Sequence, residues 1–186
     1  MNHLKTTSAL LPLALAAALA GCAQQPTATN PSATPAAAAA KTTAQVQRQA
    51  LAKGLYELAY SPRQNALFVA SSGGFGPDAS PAKVLRLNPQ TLAVEGEIPL
   101  ERKAFGVAFD DASGRLYVGN TVDLSVTVVD TLANRVVGVV QLEGKVKAKD
   151  KDGKDIERYP RDLRELAVDP ANQRLFLAGH GGENGS

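Results

Sequence analysis

From residue 58 onward the chain repeats itself, and the length of the repeat leaves few architectures open. Three stretches align without a gap: LAYSPRQNALFVAS (58–71), VAFDDASGRLYVGN (107–120) and LAVDPANQRLFLAG (166–179). Each reads as a strand, a polar turn and a second strand. Pro62, Gly114 and Pro170 sit in the turns beside Asp, Asn and Ser, which close tight turns. A second kind of hairpin lies between them, where VLRLNPQTLAVEGEIPL (84–100) aligns with VTVVDTLANRVVGVVQL (126–142). Asn88-Pro89 and Asp130-Thr131 open those turns.

The repeat unit is therefore two hairpins, or four antiparallel strands. Its spacing is 49 residues from Leu58 to Val107 and 59 from Val107 to Leu166. Four-stranded units repeating at about 40 to 50 residues are the pattern of β-propeller blades. A β-sandwich also spaces its strands regularly, but it does not predict two alternating ungapped alignments. The extra length between the second and third units falls in EGKVKAKDKDGKDIERYP (143–160), where Lys alternates with Asp around Asp152-Gly153, a hairpin-turn pair. That segment reads as a solvated, self-neutralising ribbon, with a charged loop offered to a partner as the alternative.

The first 44 residues follow different rules. Lys5 precedes an apolar run, Ala9 to Ala20, of about 12 residues; a bilayer-spanning helix needs roughly 20, so the run reads as the core of a secretion signal. It ends in Leu19-Ala20-Gly21-Cys22, which resembles the bacterial lipobox, whose cysteine is lipidated and becomes the first mature residue. An ordinary cleavage site at Ala18-Leu19-Ala20 is the rival. Cys22 is the single cysteine, so the chain forms no internal disulfide. Residues 22–44 are almost all Ala, Thr, Pro, Gln, Ser and Asn, too poor in large apolar side chains to offset ordering entropy, and read as a disordered tether. The expected organisation is thus signal peptide 1–21, tether 22–44 and strand-rich domain 45–186. A short helix is expected over Lys41–Lys53, from Val46, Ala50 and Leu51.

Charge and chemistry exclude more than they assign. Basic residues number 20 and acidic residues 18, and Lys5 falls in the leader, so nucleic-acid binding through a basic surface is not favoured. Two histidines, one in the leader, argue against a zinc site, and no cofactor is called for. Ser71-Ser72-Gly73-Gly74-Phe75-Gly76 is glycine-rich, but no helix follows it, so it reads as a loop and not a phosphate cradle. Asp110, Asp111, Asp130 and Asp169 fall in repeated turns, where turn chemistry outweighs acid–base work. Ser61, Ser71 and His180 form no catalytic pattern. The informative set lies just before each inner strand: Tyr56 and Glu57, Phe105 and Gly106, Arg164 and Glu165, with Lys103 and Arg161 nearby. In a propeller such residues face the mouth of the central channel, where they could hold a small anion, a peptide or a stacked base. Arg164 is either the main ligand contact or a tie between blades through Glu57 or Glu165.

At LYVGNTVDLSVTVVDTLANRVVGVVQL (116–142) the pattern resembles the YVTN repeat of bacterial and archaeal propellers. Within that group the chain is similar to the periplasmic YncE-like family, through Lys53-Gly54, Tyr56-Glu57, Ala59-Tyr60-Ser61, Phe105-Gly106, Gly119-Asn120-Thr121-Val122 and Arg164-Glu165-Leu166. The resemblance implies an all-β propeller of four-stranded antiparallel blades, closed at about seven blades, of which this chain carries about two and a half. It is expected to be a truncated product or part of an interrupted gene. The implied function is a non-catalytic binding or scaffold module of the cell envelope. Its expected partners are the membrane, reached through lipidated Cys22 on the periplasmic face of the outer membrane, and a protein or small anionic ligand. Subunits of quinone-dependent dehydrogenases and lactonases are the enzymatic alternative.

Overall fold

The computed structural model describes residues 46–181. Cys22, the expected signal peptide and the expected tether lie outside the described residues. The described part is built of strands joined by turns, in the order the repeats dictate. The first four-stranded sheet runs β1 (Leu55–Ser61), β2 (Ala66–Ser71), β3 (Lys83–Leu87) and β4 (Val94–Pro99). The second runs β5 (Val107–Asp110), β6 (Arg115–Asn120), β7 (Ser125–Asp130) and β8 (Arg135–Gln141). In both, sequence neighbours pair antiparallel, in the order β1-β2-β3-β4 and β5-β6-β7-β8. This is the up-and-down meander of a propeller blade. The charged insertion forms a two-stranded ribbon, β9 (Val146–Lys149) with β10 (Asp155–Arg158), turning at Gly153. A third hairpin, β11 (Arg161–Asp169) with β12 (Arg174–Gly181), repeats the first half of a blade.

Every blade hairpin is closed by the same device. A side-chain oxygen at the first turn position accepts backbone N–H groups two or three residues on. Asn88 receives Gln90 and Thr91, Asp110 receives Ala112 and Ser113, Asp130 receives Leu132 and Ala133, Asp169 receives Asn172, and the Ser61 hydroxyl receives Gln64. The turn then ends on a left-handed residue: Asn65, Leu92, Gly114, Asn134 and Gln173 all have positive φ at equivalent positions. These bonds favour the ionised acids. The Ser113 hydroxyl beside Asp110, the Ala133 N–H at Asp130 and the Asn172 side chain at Asp169 hold the three carboxyls below their usual range. Asp110, Asp130 and Asp169 are therefore turn-formers, as the sequence implied, whereas Asp111 accepts the Ser61 hydroxyl and the Arg63 N–H and so ties the second blade's turn to the first blade's.

The core lies between sheets. Phe68, Ala70, Val84 and Ile98 of the first sheet pack on Val107, Leu116, Val118 and Val129 of the second. The next residues along β2 and β3 point the other way, as strand geometry requires, so Val69, Leu85 and Leu87 form a separate cluster on the far face of the first sheet. Leu51 and Ala52 cover that cluster. Here the structure corrects the expected helix: residues 46–53 contain none. The segment's apolar side chains pack on a sheet face, and Ser72 N–H and the Ser71 hydroxyl bond to the carbonyls of Gly54 and Lys53. A helix of fewer than four turns has little stability of its own to oppose such packing. On the other side, Leu163 of β11 packs with Leu124 and Val126, bringing the third hairpin against the second sheet.

Candidate functional site

The cleft is made by three β-bulges. In β1–β2, Leu55 opposes Ser71 and Leu58 opposes Val69, so Tyr56 and Glu57 share one partner, Ala70. In β11–β12, Leu163 opposes Gly179 and Glu165 opposes Ala178, leaving Arg164 as the extra residue. In the second blade Phe105 N–H donates to Gly119 O, while Gly119 N–H donates to Gly106 O, so two residues again face one. A bulge bends its strand and re-aims the extra side chain. At equivalent points of three successive units it turns the same two positions out of the ladder and toward one place.

That place is a cleft of about 400 Å3 lined by Tyr56, Glu57, Phe105, Gly106, Thr121, Arg164 and Glu165. Six of the eight residues picked from the sequence as mouth residues line it. Thr121 is the addition. It opens the short turn Thr121–Asp123 that follows β6, and it lay unremarked inside the Gly119-Asn120-Thr121-Val122 run. The other two sit elsewhere. Arg161 Nε pairs with Glu143 Oε1 at 2.7 Å, beside a different depression lined by Leu124, Leu163 and Leu177. Lys103 points into the glycine-rich loop.

Close approach of the blades is what brings the bulges together. A Cβ on Gly106 would come within 3.0 Å of the Arg164 carbonyl and the Leu166 side chain, and 3.2 Å from Glu57 Oε2. The missing side chain leaves room for Glu57 to cross between blades, where its Oε2 accepts the Val107 N–H at 2.7 Å. Tyr56 meets Phe105 edge to face with ring centres 4.6 Å apart, and Phe105 in turn lies 6.2 Å from Phe75. The three rings form a row. At its far end the Lys103 ammonium sits 4.7 Å above Phe75 and donates to the carbonyl oxygens of Ser72 (3.2 Å) and Gly74. The glycine-rich loop thus presents carbonyls inward, the reverse of a phosphate cradle. Its Gly73 is required, because a Cβ there would fall 1.8 Å from Ser80 O.

Arg164 has neither of the partners expected for a tie between blades. Its Nη2 lies 2.7 Å from His180 Nε2 and 3.7 Å from Asp162 Oδ2, both on its own hairpin. The β11–β12 register places Asp162 directly opposite His180, which is why the three meet. Arginine cannot accept a hydrogen bond, so His180 Nε2 is the acceptor and its Nδ1–H donates to Gly181 O at 3.1 Å. His180 is therefore a partner of Arg164 on the exposed side of the third hairpin. Among the described residues no three His, Cys, Asp or Glu side chains group as metal ligands, and no helix is long and apolar enough to cross a membrane.

Comparison with known proteins finds relatives at the level of sequence. No family model matches the chain. The uncharacterized protein YncE of Escherichia coli (strain K12) is 34% identical over 137 residues, covering 74% of this chain and 36% of its own length. That of Salmonella typhimurium (strain LT2) is 33% identical over 137 residues, with the same shares covered. Among solved structures, the β-propeller domain of Myceliophteria thermophila Cps50 (Swd1) superposes with a TM-score of 0.46 at 9% identity, over 68% of this chain and 32% of that one. The chain spans about a third of the length of the curated relatives it matches. Over about three quarters of its residues, then, this chain is similar to YncE, and its described part holds two four-stranded antiparallel sheets of propeller-blade type.

Proposed function

We propose that the chain is a non-catalytic binding module of the cell envelope, of YncE type, held at a membrane by lipidated Cys22 and a tether over residues 23–44. The observation that carries the binding half is the convergence of three bulged blade starts on one cleft. A bulge costs ladder hydrogen bonds and is over-represented beside functional sites, so three at equivalent positions, all aimed at one opening, support this reading. The cleft offers aromatic surface and charge. Of its two carboxylates, that of Glu57 accepts the Val107 N–H and that of Glu165 is exposed.

The anchoring half rests on Leu19-Ala20-Gly21-Cys22 alone. A single acyl chain holds a protein only marginally, whereas two or more hold it stably, so the multiply acylated cysteine of a lipobox is sufficient as an anchor. Wild-type protein is expected to take up labelled palmitate and enter the detergent phase, and Cys22→Ser to release it to the soluble fraction of the envelope. A wild type that palmitate never labels contradicts the anchor.

A further inference from the structure

We infer that the cleft at the blade starts binds an organic cation, a guanidinium or alkylammonium group of the size of an arginine or lysine side chain. This rests on the binding-module reading and names the chemistry of its ligand.

Three observations carry it. First, the charges facing the cleft do not favour an anion. Glu57 and Glu165 both line it, against Arg164 alone, and the Arg164 guanidinium is already answered by Asp162 and His180. Glu57 gives one oxygen to the Val107 N–H. Glu165 is exposed, and among the described residues its carboxylate has no hydrogen-bond or ion-pair partner. Second, Tyr56 is 58% exposed although it is aromatic, and it stands in the same lining as the two carboxylates. An aromatic face beside carboxylates is the arrangement that holds a cation, through the ring quadrupole and charge-assisted hydrogen bonds together. Third, the molecule already contains the arrangement once. At the Phe75 end of the aromatic row, the chain's own Lys103 ammonium lies over a ring and is held by oxygen acceptors. The Tyr56 end repeats that chemistry, ring plus oxygen acceptors, with the acceptors supplied as carboxylates and the opening turned to solvent.

The polarity differs from the expectation drawn from sequence, in which Arg164 fixes an anion. Arg164 keeps a structural part, ordering β11 against β12 beside the cleft. The cation lies between Tyr56 and Glu165, with Glu57 Oε1 as a further acceptor.

The test uses the full chain in nonionic detergent, with its four tyrosines carrying 13C-labelled rings, titrated separately with arginine amide and with inorganic phosphate. Saturable shifts of the Tyr56 ring by arginine amide are expected. Affinity should fall at least about tenfold in Glu165→Gln and should not fall in Arg164→Gln, which removes a like charge from the lining. Unchanged melting of Glu165→Gln shows that the loss is one of binding. Arginine amide binding equally well to Glu165→Gln overturns the inference. Phosphate binding that Arg164→Gln abolishes, with no response to arginine amide, overturns it too but leaves the binding module standing. A cleft that responds to neither probe removes both.

Discussion

At the scale of single residues, Glu57 carries more than its place in the lining suggests. Its carboxylate crosses from the first blade to accept the Val107 N–H, and Val107 is only 6% exposed. A buried amide without an acceptor costs about 1–3 kcal/mol. Glu57→Ala is therefore expected to lower stability by an amount in that range, and Glu57→Gln, which keeps an oxygen, by less than half of it. Denaturant melts of the three proteins check this, and equal losses in both variants would contradict it. The sequence placed Glu57 just before the inner strand, whereas it lies inside β1 at the bulge, as Arg164 and Glu165 lie inside β11, and the sequence could not assign this bond. Its acceptor role depends on Gly106, 49 residues away, having no side chain. Arg164 is the converse case. Its partners follow from the register of β11 with β12, which the aligned stretch does not reach, because that stretch begins at Leu166, beyond the bulge.

At the scale of elements, the hairpins were legible because their turns are written in side chains. Asn88, Asp110, Asp130 and Asp169 announce themselves as turn-formers, and the left-handed closing position recurs in every aligned hairpin. The internal comparison also exposes a weak point. Asn65, Gly114 and Asn134 suit positive φ, whereas Leu92 and Gln173 hold it at 59° and 53° with side chains that do not favour it. Gln173→Asn is expected to raise stability by about 0.5 kcal/mol, read as a higher melting temperature; no change, or a fall, would mean that Gln173 makes contacts that offset the strain. The bulges, by contrast, were not legible. A bulge is a mismatch between two strands and leaves no fixed residue type behind: here the pairs are Tyr-Glu, Phe-Gly and Arg-Glu. The expected N-terminal helix failed for a related reason. Val46, Ala50 and Leu51 fit a helical period, but the nearby face of Val69, Leu85 and Leu87 takes Leu51 and Ala52 into sheet packing instead.

At the scale of the whole molecule, one sequence pattern explains both the core and the site. Alternation along β2 and β3 sends Phe68 and Val84 toward the second sheet and Val69 and Leu85 away from it, so each blade is packed on two faces. Stacking blades this way lines up their equivalent ends, and the bulges at those ends fall together. Residues 49 and 59 apart in sequence share one opening because the units repeat in space. Ring-current shifts test it directly, since they act only over a few ångströms. Removing the ring in Tyr56→Leu and comparing backbone spectra should move the signals of Phe105, Gly106, Thr121, Arg164 and Glu165, in all three units. It should leave the distant turns at 110–114 and 169–173 where they were. Shifts confined to residues 54–72 would contradict the shared cleft, and with it the account of how these blades make a site.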